Sequence, residues 1–330
     1  NNFKKIGLTA LAASLVATSA FAGEMSVSGS ASIKSAHVTT ATGANTGKAF
    51  SMGNSVTFKG GGELDNGLTV SASFELDQGV ADGSQTAGQL TSDGAVFDSH
   101  SVTVSSDALG SLTFAGHGGS SAQSKIDTTA AGDLWDSSFG IATTQDPKTS
   151  GTSLNMIFYT LPTMVDGVAV TASYTPTAAT AQSSTAWGIG YTGIEGLAVN
   201  YAAGGDDKTK GSTADVTTLK ASYAYGPVTV GYSESEYDSE LTTDDADQEV
   251  KSYNVSYTVS ENISVSYGSE EISEPNDSDD QDIEVSGITA DYTTGGMTIT
   301  ATMIDADNTG MTTASTEDKQ QWSLAASFAF

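Results

Sequence analysis

Strict alternation of apolar and small polar residues is the feature that most constrains this chain. From residue 23 onward, apolar side chains occupy every second position, as in the segments 68–76, 253–259 and 297–303. In the first of these, Leu, Val, Ala, Phe and Leu alternate with Thr, Ser, Ser and Glu. Because successive side chains of a β-strand point to opposite faces, the pattern predicts strands with one apolar and one polar face.

The first 22 residues have the three parts of a secretory signal peptide. Lys4 and Lys5 precede an apolar run at 6–16, and small residues with an Ala-Phe-Ala sequence at 20–22 follow. This order predicts export and cleavage after Ala22, in preference to a buried N-terminal helix. Residues 23–330 are then the mature domain, in which no segment approaches the ~20 apolar residues of a membrane helix.

The breaks between strands alternate between short turns and long polar loops. The short turns carry the Gly, Asn, Asp and Pro residues that hairpins need and fall at 65–67, 106–110, 163–167, 193–196, 226–227, 260–262 and 294–296. The long loops fall near 38–51, 77–95, 117–152, 176–183, 204–212, 236–248, 272–282 and 306–319. Seven short turns and eight long loops predict sixteen antiparallel strands, with both chain ends on the short-turn side.

The composition of the two faces distinguishes a membrane barrel from a soluble sandwich. The apolar face is thin, with Ala and Gly beside Val and Tyr, which lipid tolerates but a close-packed core does not. A barrel turns this face to outer-membrane lipid and its Ser, Thr, Gly and Asn face to water. We therefore predict an all-β, 16-stranded antiparallel transmembrane β-barrel over 23–330. Its last strand carries Phe328 and Phe330 on the apolar face, which resembles the C-terminal signal that such barrels present to the barrel assembly machinery.

Charge and cysteine content exclude other classes. The chain has 12 basic and 40 acidic residues, for a formal net charge of −28, so no nucleic-acid partner is expected. With no cysteine, disulfides and cysteine-ligated metals are impossible.

Catalytic and zinc-binding motifs are also missing from the sequence. No nucleophile elbow stands in a suitable context, and the three histidines do not have the spacing of zinc ligands. We therefore predict neither catalysis nor a tightly bound cofactor.

Three segments resemble the Gram-negative general diffusion porins of the alphaproteobacterial type. Residues 58–68, Phe-Lys-Gly-Gly-Gly-Glu-Leu-Asp-Asn-Gly-Leu, resemble the second hairpin of that family, while 101–114 look like its next hairpin and 154–162 like the strand leaving its constriction loop. The resemblance implies a homotrimeric outer-membrane channel for small hydrophilic solutes and ions, narrowed by the inward-folded third long loop, about 117–152. The chain departs from the family in having Gly116-His117 where Gly-Arg is usual, and in having no arginine.

Strand parity and this loop predict the pore constriction. The candidates are Lys34, Lys59, Glu75, His117 and Lys220 on inner strand faces, and Lys125, Asp127, Asp133 and Asp136 in the loop. We expect Lys34 and Lys59 to be near neighbours on the wall and, with His117, to face the three loop aspartates. Such a transverse field orients dipolar solutes. The alternative for each residue is a solvated wall position without a special role.

Acidic residues concentrate in the last third of the chain. Between Glu234 and Asp291 there are eighteen acids and one lysine, which we expect mostly in two long loops at the rim. A negative rim concentrates cations within a Debye length of about 8–10 Å and predicts a weakly cation-selective pore. These loops could also bind Ca²⁺ or Mg²⁺ loosely, and the alternative is that they are solvated without a bound ion. The candidate ligands are Asp244, Asp245, Asp247, Asp277, Asp279 and Asp282. A solute-selective outer-membrane channel and a secreted acidic β-rich adhesin are the alternative functions.

Overall fold

The computed structural model describes residues 25–40, 45–77, 97–135, 146–151, 155–176, 183–205, 213–239, 247–275, 281–311 and 318–330. The predicted signal peptide, 1–22, lies outside the described residues. Within them, β-strands form one closed barrel. Among the described residues, no helix has the length and apolar character needed to span a bilayer.

Sixteen strands make up the barrel wall. In chain order they are β1 (Met25–Thr40), β2 (Asn45–Glu63), β3 (Thr69–Asp77), β4 (Ser99–Ser106), β5 (Gly110–His117), β6 (Met156–Thr160), β7 (Val168–Thr175), β8 (Ser184–Tyr191), β9 (Leu197–Gly205), β10 (Ala214–Tyr225), β11 (Val228–Ser239), β12 (Gln248–Ser260), β13 (Ile263–Ser273), β14 (Ile283–Thr294), β15 (Met297–Asp307) and β16 (Lys319–Ala329). Each pairs antiparallel with its sequence neighbours, and β16 pairs with β1 to close the ring. The predicted fold class is confirmed.

Short hairpins occupy one end of the barrel at the predicted positions. Gly67 has φ +79° and Gly167 has φ +77°, a region in which side chains are strained and glycine is not. A side chain at Gly167 would also come within 2.5 Å of the backbone of Gly193 in the neighbouring turn. The turn glycines therefore set both the chain reversal and the close spacing of adjacent hairpins.

The apolar strand face lies on the outside of the barrel. Ile288 and Leu324 are 55% and 51% exposed, as expected for a wall that contacts lipid rather than a protein core. Aromatic residues also lie exposed on the outer wall, among them Trp187, Tyr191, Tyr201, Tyr223, Tyr225, Tyr257, Tyr292, Trp322 and Phe328. The inner positions alternate with these and are mostly Ser, Thr, Gly and Ala.

The first long loop is much shorter than predicted. The pairing of β1 with β2 continues through His37–Lys48 and Thr39–Asn45, so only 41–44 separate the strands. The register consequently places Ser51 opposite Lys34, and Ser26 opposite Lys59. Ser26 lies eight residues before Lys34 on β1, which separates the two lysines by roughly 26 Å of strand. The expectation that they are near neighbours is therefore wrong.

At the long-loop end of the barrel, the inner face of the wall is apolar and the outer face is polar, which reverses the arrangement in the apolar band. An apolar cluster faces inward there, formed by Leu134, Val250, Ile272, Ile283, Val285, Ile304, Ala306 and Met311. On β14, the buried Ile283 and Val285 have the opposite parity to the outward Ile288. The outward positions at that level carry acids, such as Glu284. Since charged side chains are excluded from lipid, the strands extend beyond the apolar band and become polar outside and apolar inside.

Candidate functional site: a lumen narrowed by one loop

The third long loop, called L3 here (residues 118–155), leaves the wall at Gly118. This residue has φ +69°, and a side chain on it would lie 2.6 Å from the Cβ atom of Ser99. A helical turn follows, in which the Lys125 nitrogen donates to the Ser121 carbonyl oxygen at 3.0 Å. The nitrogen of Ala122 donates to Ser173 Oγ on β7 at 2.9 Å. L3 therefore turns inward and is attached to the wall from its first turn.

Gln123 joins both limbs of L3 to the barrel. Its side chain is fully buried, and its Nε2 donates to Thr218 Oγ1 on β10 at 2.8 Å. Its Oε1 accepts from the nitrogen of Ser150, on the returning limb, at 2.7 Å. Gln123 was not predicted as a site residue, because a lone glutamine in a polar loop carries no signal of burial.

Further along, L3 is bonded to β10, β11 and β12. Lys220 Nζ donates to Asp127 Oδ2 and to the carbonyl oxygen of Thr129, both at 2.8 Å. Ser233 Oγ donates to the Thr128 carbonyl oxygen at 2.8 Å, and Ser252 Oγ accepts from the Ala131 nitrogen at 2.9 Å. Hydroxyl groups of the inner wall thus bond to backbone groups of L3 that no strand partner satisfies at these positions.

The far part of L3 is fixed by one buried carboxylate and by apolar packing. Glu270 on β13 is 1% exposed, and its Oε2 accepts from the backbone nitrogen of Trp135 at 2.9 Å. Beside it, Leu134 belongs to the inward apolar cluster, against which Trp135 packs. Glu270 was also not predicted as a site residue. The alternation along β13 did place it on the same inward face as Gly268 and Ile272. L3 therefore crosses from β5 to β13 along one side of the lumen, which supports the inward fold that the family resemblance implied.

The structure brings two of the predicted constriction residues to one cavity. Lys34 and Asp133 both line a space of about 330 Å³ between L3 and the inner wall, together with Thr289, Thr300 and Thr302. Asp127 is instead paired with Lys220 at 2.8 Å on the side of the lumen where L3 lies. One predicted aspartate thus shares a cavity with a wall lysine, whereas another has its charge offset locally.

The other predicted residues are distributed along the wall. Glu75 Oε2 accepts from Ser99 Oγ at 3.0 Å, and His117 Nδ1 bonds to the backbone oxygen of Asp98. Lys125 Nζ lies over the Phe158 ring, 3.5 Å from its centroid. Lys59 lies far from Lys34, towards the short-turn end. Asp136 lies outside the described residues.

Many of the acids expected at the pore rim face away from the lumen. Glu234 and Glu236 on β11 and Glu249 on β12 share the strand face of the outward Tyr232 and Tyr253. They are not in long loops, because the strands continue beyond the apolar band. Asp291 is an exception on β14, since it faces inward and its Oδ1 accepts from Thr300 Oγ1 at 2.6 Å. The rim charge therefore acts on the lumen less directly than the sequence suggested.

The predicted divalent-cation residues fall only partly within the described chain. Asp244, Asp245, Asp277 and Asp279 lie outside it. Asp247 Oδ1 accepts from the Ser239 nitrogen at 2.8 Å, and the Asp282 backbone oxygen accepts from Asn308 at 3.2 Å. Carboxylate oxygens of Glu234, Glu236 and Glu249 lie within 4.8 Å of one another, and Lys251 Nζ is 2.6 Å from Glu249. This outer-wall group was not predicted.

The C-terminal aromatic takes part in closing the barrel. The Gly29 nitrogen donates to the Phe330 oxygen at 2.8 Å, and the Phe330 nitrogen donates back to the Gly29 oxygen at 3.1 Å. A side chain on Gly29 would lie 2.7 Å from the Phe330 ring. Phe328 lies on the outer wall, 41% exposed. The last residue therefore extends the β16–β1 pairing.

Comparisons with known proteins agree with this geometry. A family model described as Gram-negative porin matches residues 7–309, and no curated protein sequence matches the chain at a significant level. The fold is similar to that of OmpT lacking loop L8, an outer membrane protein of Vibrio cholerae, with a TM-score of 0.70 at 14% identity over 94% of this chain and 100% of that one. An anion-selective porin from Comamonas acidovorans gives a TM-score of 0.64 at 15% identity, over 93% and 100% of the two chains. A mutant of Rh. blastica porin gives 0.64 at 16% identity with the same coverage.

Proposed function

Because the chain belongs to the Gram-negative porin family of outer-membrane channels, we propose that it is a general diffusion porin. Small hydrophilic solutes and ions pass through its lumen down their concentration gradients. The observation that carries the proposal is the attachment of L3 along one inner side, from Ser173 to Glu270. A fixed loop in a polar lumen restricts solutes by size and charge.

The proposed pore is weakly cation-selective. Asp133 and Asp291 present carboxylates on the inner side, while the Asp127 charge is offset by Lys220. Lys34 lines the same cavity as Asp133, and its positive charge keeps the preference for cations weak. The net charge of −28 adds a long-range bias toward cations. The barrel fold itself does not decide the sign, since an anion-selective porin shares it.

The proposal for export and assembly is the one that the sequence predicts. We propose that residues 1–22 direct export and are removed, and that the assembly machinery recognises the strand ending in Phe328 and Phe330. We also propose that three copies associate in the outer membrane, as the family resemblance implies. The apolar outer wall, with Ile288 at 55% exposure, supports residence in lipid and disfavours a secreted adhesin.

A planar-bilayer recording of the purified protein tests these proposals. A general diffusion porin gives open channels whose conductance rises with salt concentration. If three pores are linked in one trimer, the current falls in three equal closing steps. In a KCl gradient, the reversal potential is expected to report a small preference for K⁺. Absence of channels would refute the porin function, and a preference for Cl⁻ would refute only the selectivity.

A further inference from the structure

A second cavity lies where L3 leaves the wall. Its volume is about 180 Å³, and it is bounded by L3 and by β4, β5 and β6. Lys125, His117, Ser99 and Thr113 supply its polar groups, while Met156 and Phe158 form an apolar side. The volume is below the roughly 300 Å³ at which pockets for drug-sized ligands begin, so the cavity suits a solute of a few carbon atoms.

Lys125 is the charged centre of this cavity. Its Nζ lies 3.5 Å from the centroid of the Phe158 ring, and no ion pair joins it to a carboxylate in the described part of the chain. One side of Lys125 is open to the lumen, while the protein packed against its other side desolvates the ammonium and lowers its pKa. A cation that has lost hydration without gaining a carboxylate partner is stabilised by an anionic solute.

The neighbouring groups favour an anion of low charge. His117 donates Nδ1–H to the Asp98 oxygen, which fixes the orientation of the ring. Ser99 Oγ donates to Glu75 Oε2 at 3.0 Å, so a carboxylate lies beside the cavity. Its negative charge repels a doubly charged anion more strongly than a singly charged one.

We propose that this cavity is a binding subsite for small monocarboxylates. The carboxylate of the solute contacts the Lys125 ammonium, and its short apolar part lies against Met156. This inference rests on the proposed channel function and makes the channel partly solute-selective. A solute that binds inside a pore occupies it and slows the flow of other ions, so binding is visible as a saturable block of current.

The experiment measures single-channel current in KCl while sodium propionate is added, with sodium phosphate in a parallel series. Propionate is expected to reduce the native current in a saturable way, at lower concentration than phosphate. Lys125→Met removes the charge at similar length and is expected to raise the half-blocking concentration roughly tenfold or more, as for loss of a charged hydrogen bond. Lys125→Arg is expected to keep most of the block.

Lys59→Met is the matched control, because it removes one wall lysine that does not line the cavity. It is expected to leave the propionate block unchanged. The inference is overturned if open native channels show no saturable block, if both methionine variants change the block equally, or if phosphate blocks more strongly than propionate. If the native protein forms no channels, the porin function itself has failed, which is a different result.

Discussion

Glu270 on β13 accepts a hydrogen bond from the backbone nitrogen of Trp135 at 2.9 Å, and this contact holds the far part of L3 against the wall. Glu270→Ala leaves that part-buried N–H without this acceptor, at a cost of about 1–3 kcal/mol. Glu270→Gln keeps an acceptor oxygen. We predict faster chymotryptic cleavage after Trp135 in the alanine variant than in the glutamine variant. Glu271→Ala, on the opposite strand face, is the control and is expected to cleave like the native protein. Equal cleavage of the two Glu270 variants would show that the bond does not hold L3.

The Lys220–Asp127 ion pair adjusts the charge of the lumen. Both side chains are partly exposed, so the pair adds little stability, about 1 kcal/mol or less, but its loss changes the local field. Lys220→Met releases the Asp127 carboxylate and is expected to move the KCl reversal potential toward stronger K⁺ preference. Lys251→Met also breaks an ion pair, with Glu249, but on the outer wall, and is expected to leave the reversal potential unchanged. Equal shifts in both variants would contradict the assignment of faces.

Closure of the barrel depends on the absence of a side chain at Gly29. A Cβ atom there would lie 2.7 Å from the Phe330 ring and 2.8 Å from the Ser55 oxygen. Gly29→Val is therefore expected to impair the β16–β1 pairing and to reduce the fraction of protein with heat-modifiable gel migration. Gly60→Val is the control, because a Cβ atom at Gly60 meets nothing within 4 Å. If the two valine variants fold equally well, the closing contact is not tight.

The boundary of the apolar band falls between two positions on the same face of β14. Ile288 is 55% exposed in the band, whereas Glu284 lies nearer the long-loop end, where inward residues are apolar. Ile288→Lys is expected to lower the free energy of unfolding in lipid vesicles by about 2–4 kcal/mol, as for lysine deep in a bilayer. Glu284→Lys is expected to change it by much less. The free energies are measured by urea unfolding. If Ile288→Lys and Glu284→Lys lower the free energy of unfolding by similar amounts, the boundary of the apolar band lies elsewhere.

Local patterns predicted the wall of this protein well. Alternation fixes which face of a strand is apolar, and the turn residues fix where each hairpin ends, as at Gly67 and Gly167. Both signals lie within a few residues, so the strand number and the outward apolar face followed from them. The register between β1 and β2 could not be predicted in this way. Extending both strands by a few residues shifts the register and separates Lys34 from Lys59.

The attachment of L3 could not be predicted, because each contact joins residues far apart in sequence. Nothing near Gln123 or Glu270 indicates that Thr218 or the Trp135 nitrogen lies opposite. The exchange of faces did leave a signal that was missed. On β14 the apolar parity switches between Val285 and Ile288, and such a shift in phase marks where a strand leaves the lipid.

Ions are expected to pass along the hydroxyl-bearing face of the barrel wall, beside L3, while the apolar face contacts lipid. Since the native chain has no cysteine, single Val265→Cys and Ser266→Cys variants on β13 test it with a charged, membrane-impermeant thiol reagent. Val265 lies on the outer wall, whereas Ser266 lines the cavity that contains Lys34 and Asp133. We expect the reagent to lower the single-channel conductance of the Ser266→Cys variant and to leave that of the Val265→Cys variant unchanged. A drop only in the Val265→Cys variant, or no drop in either while channels stay open, would contradict it.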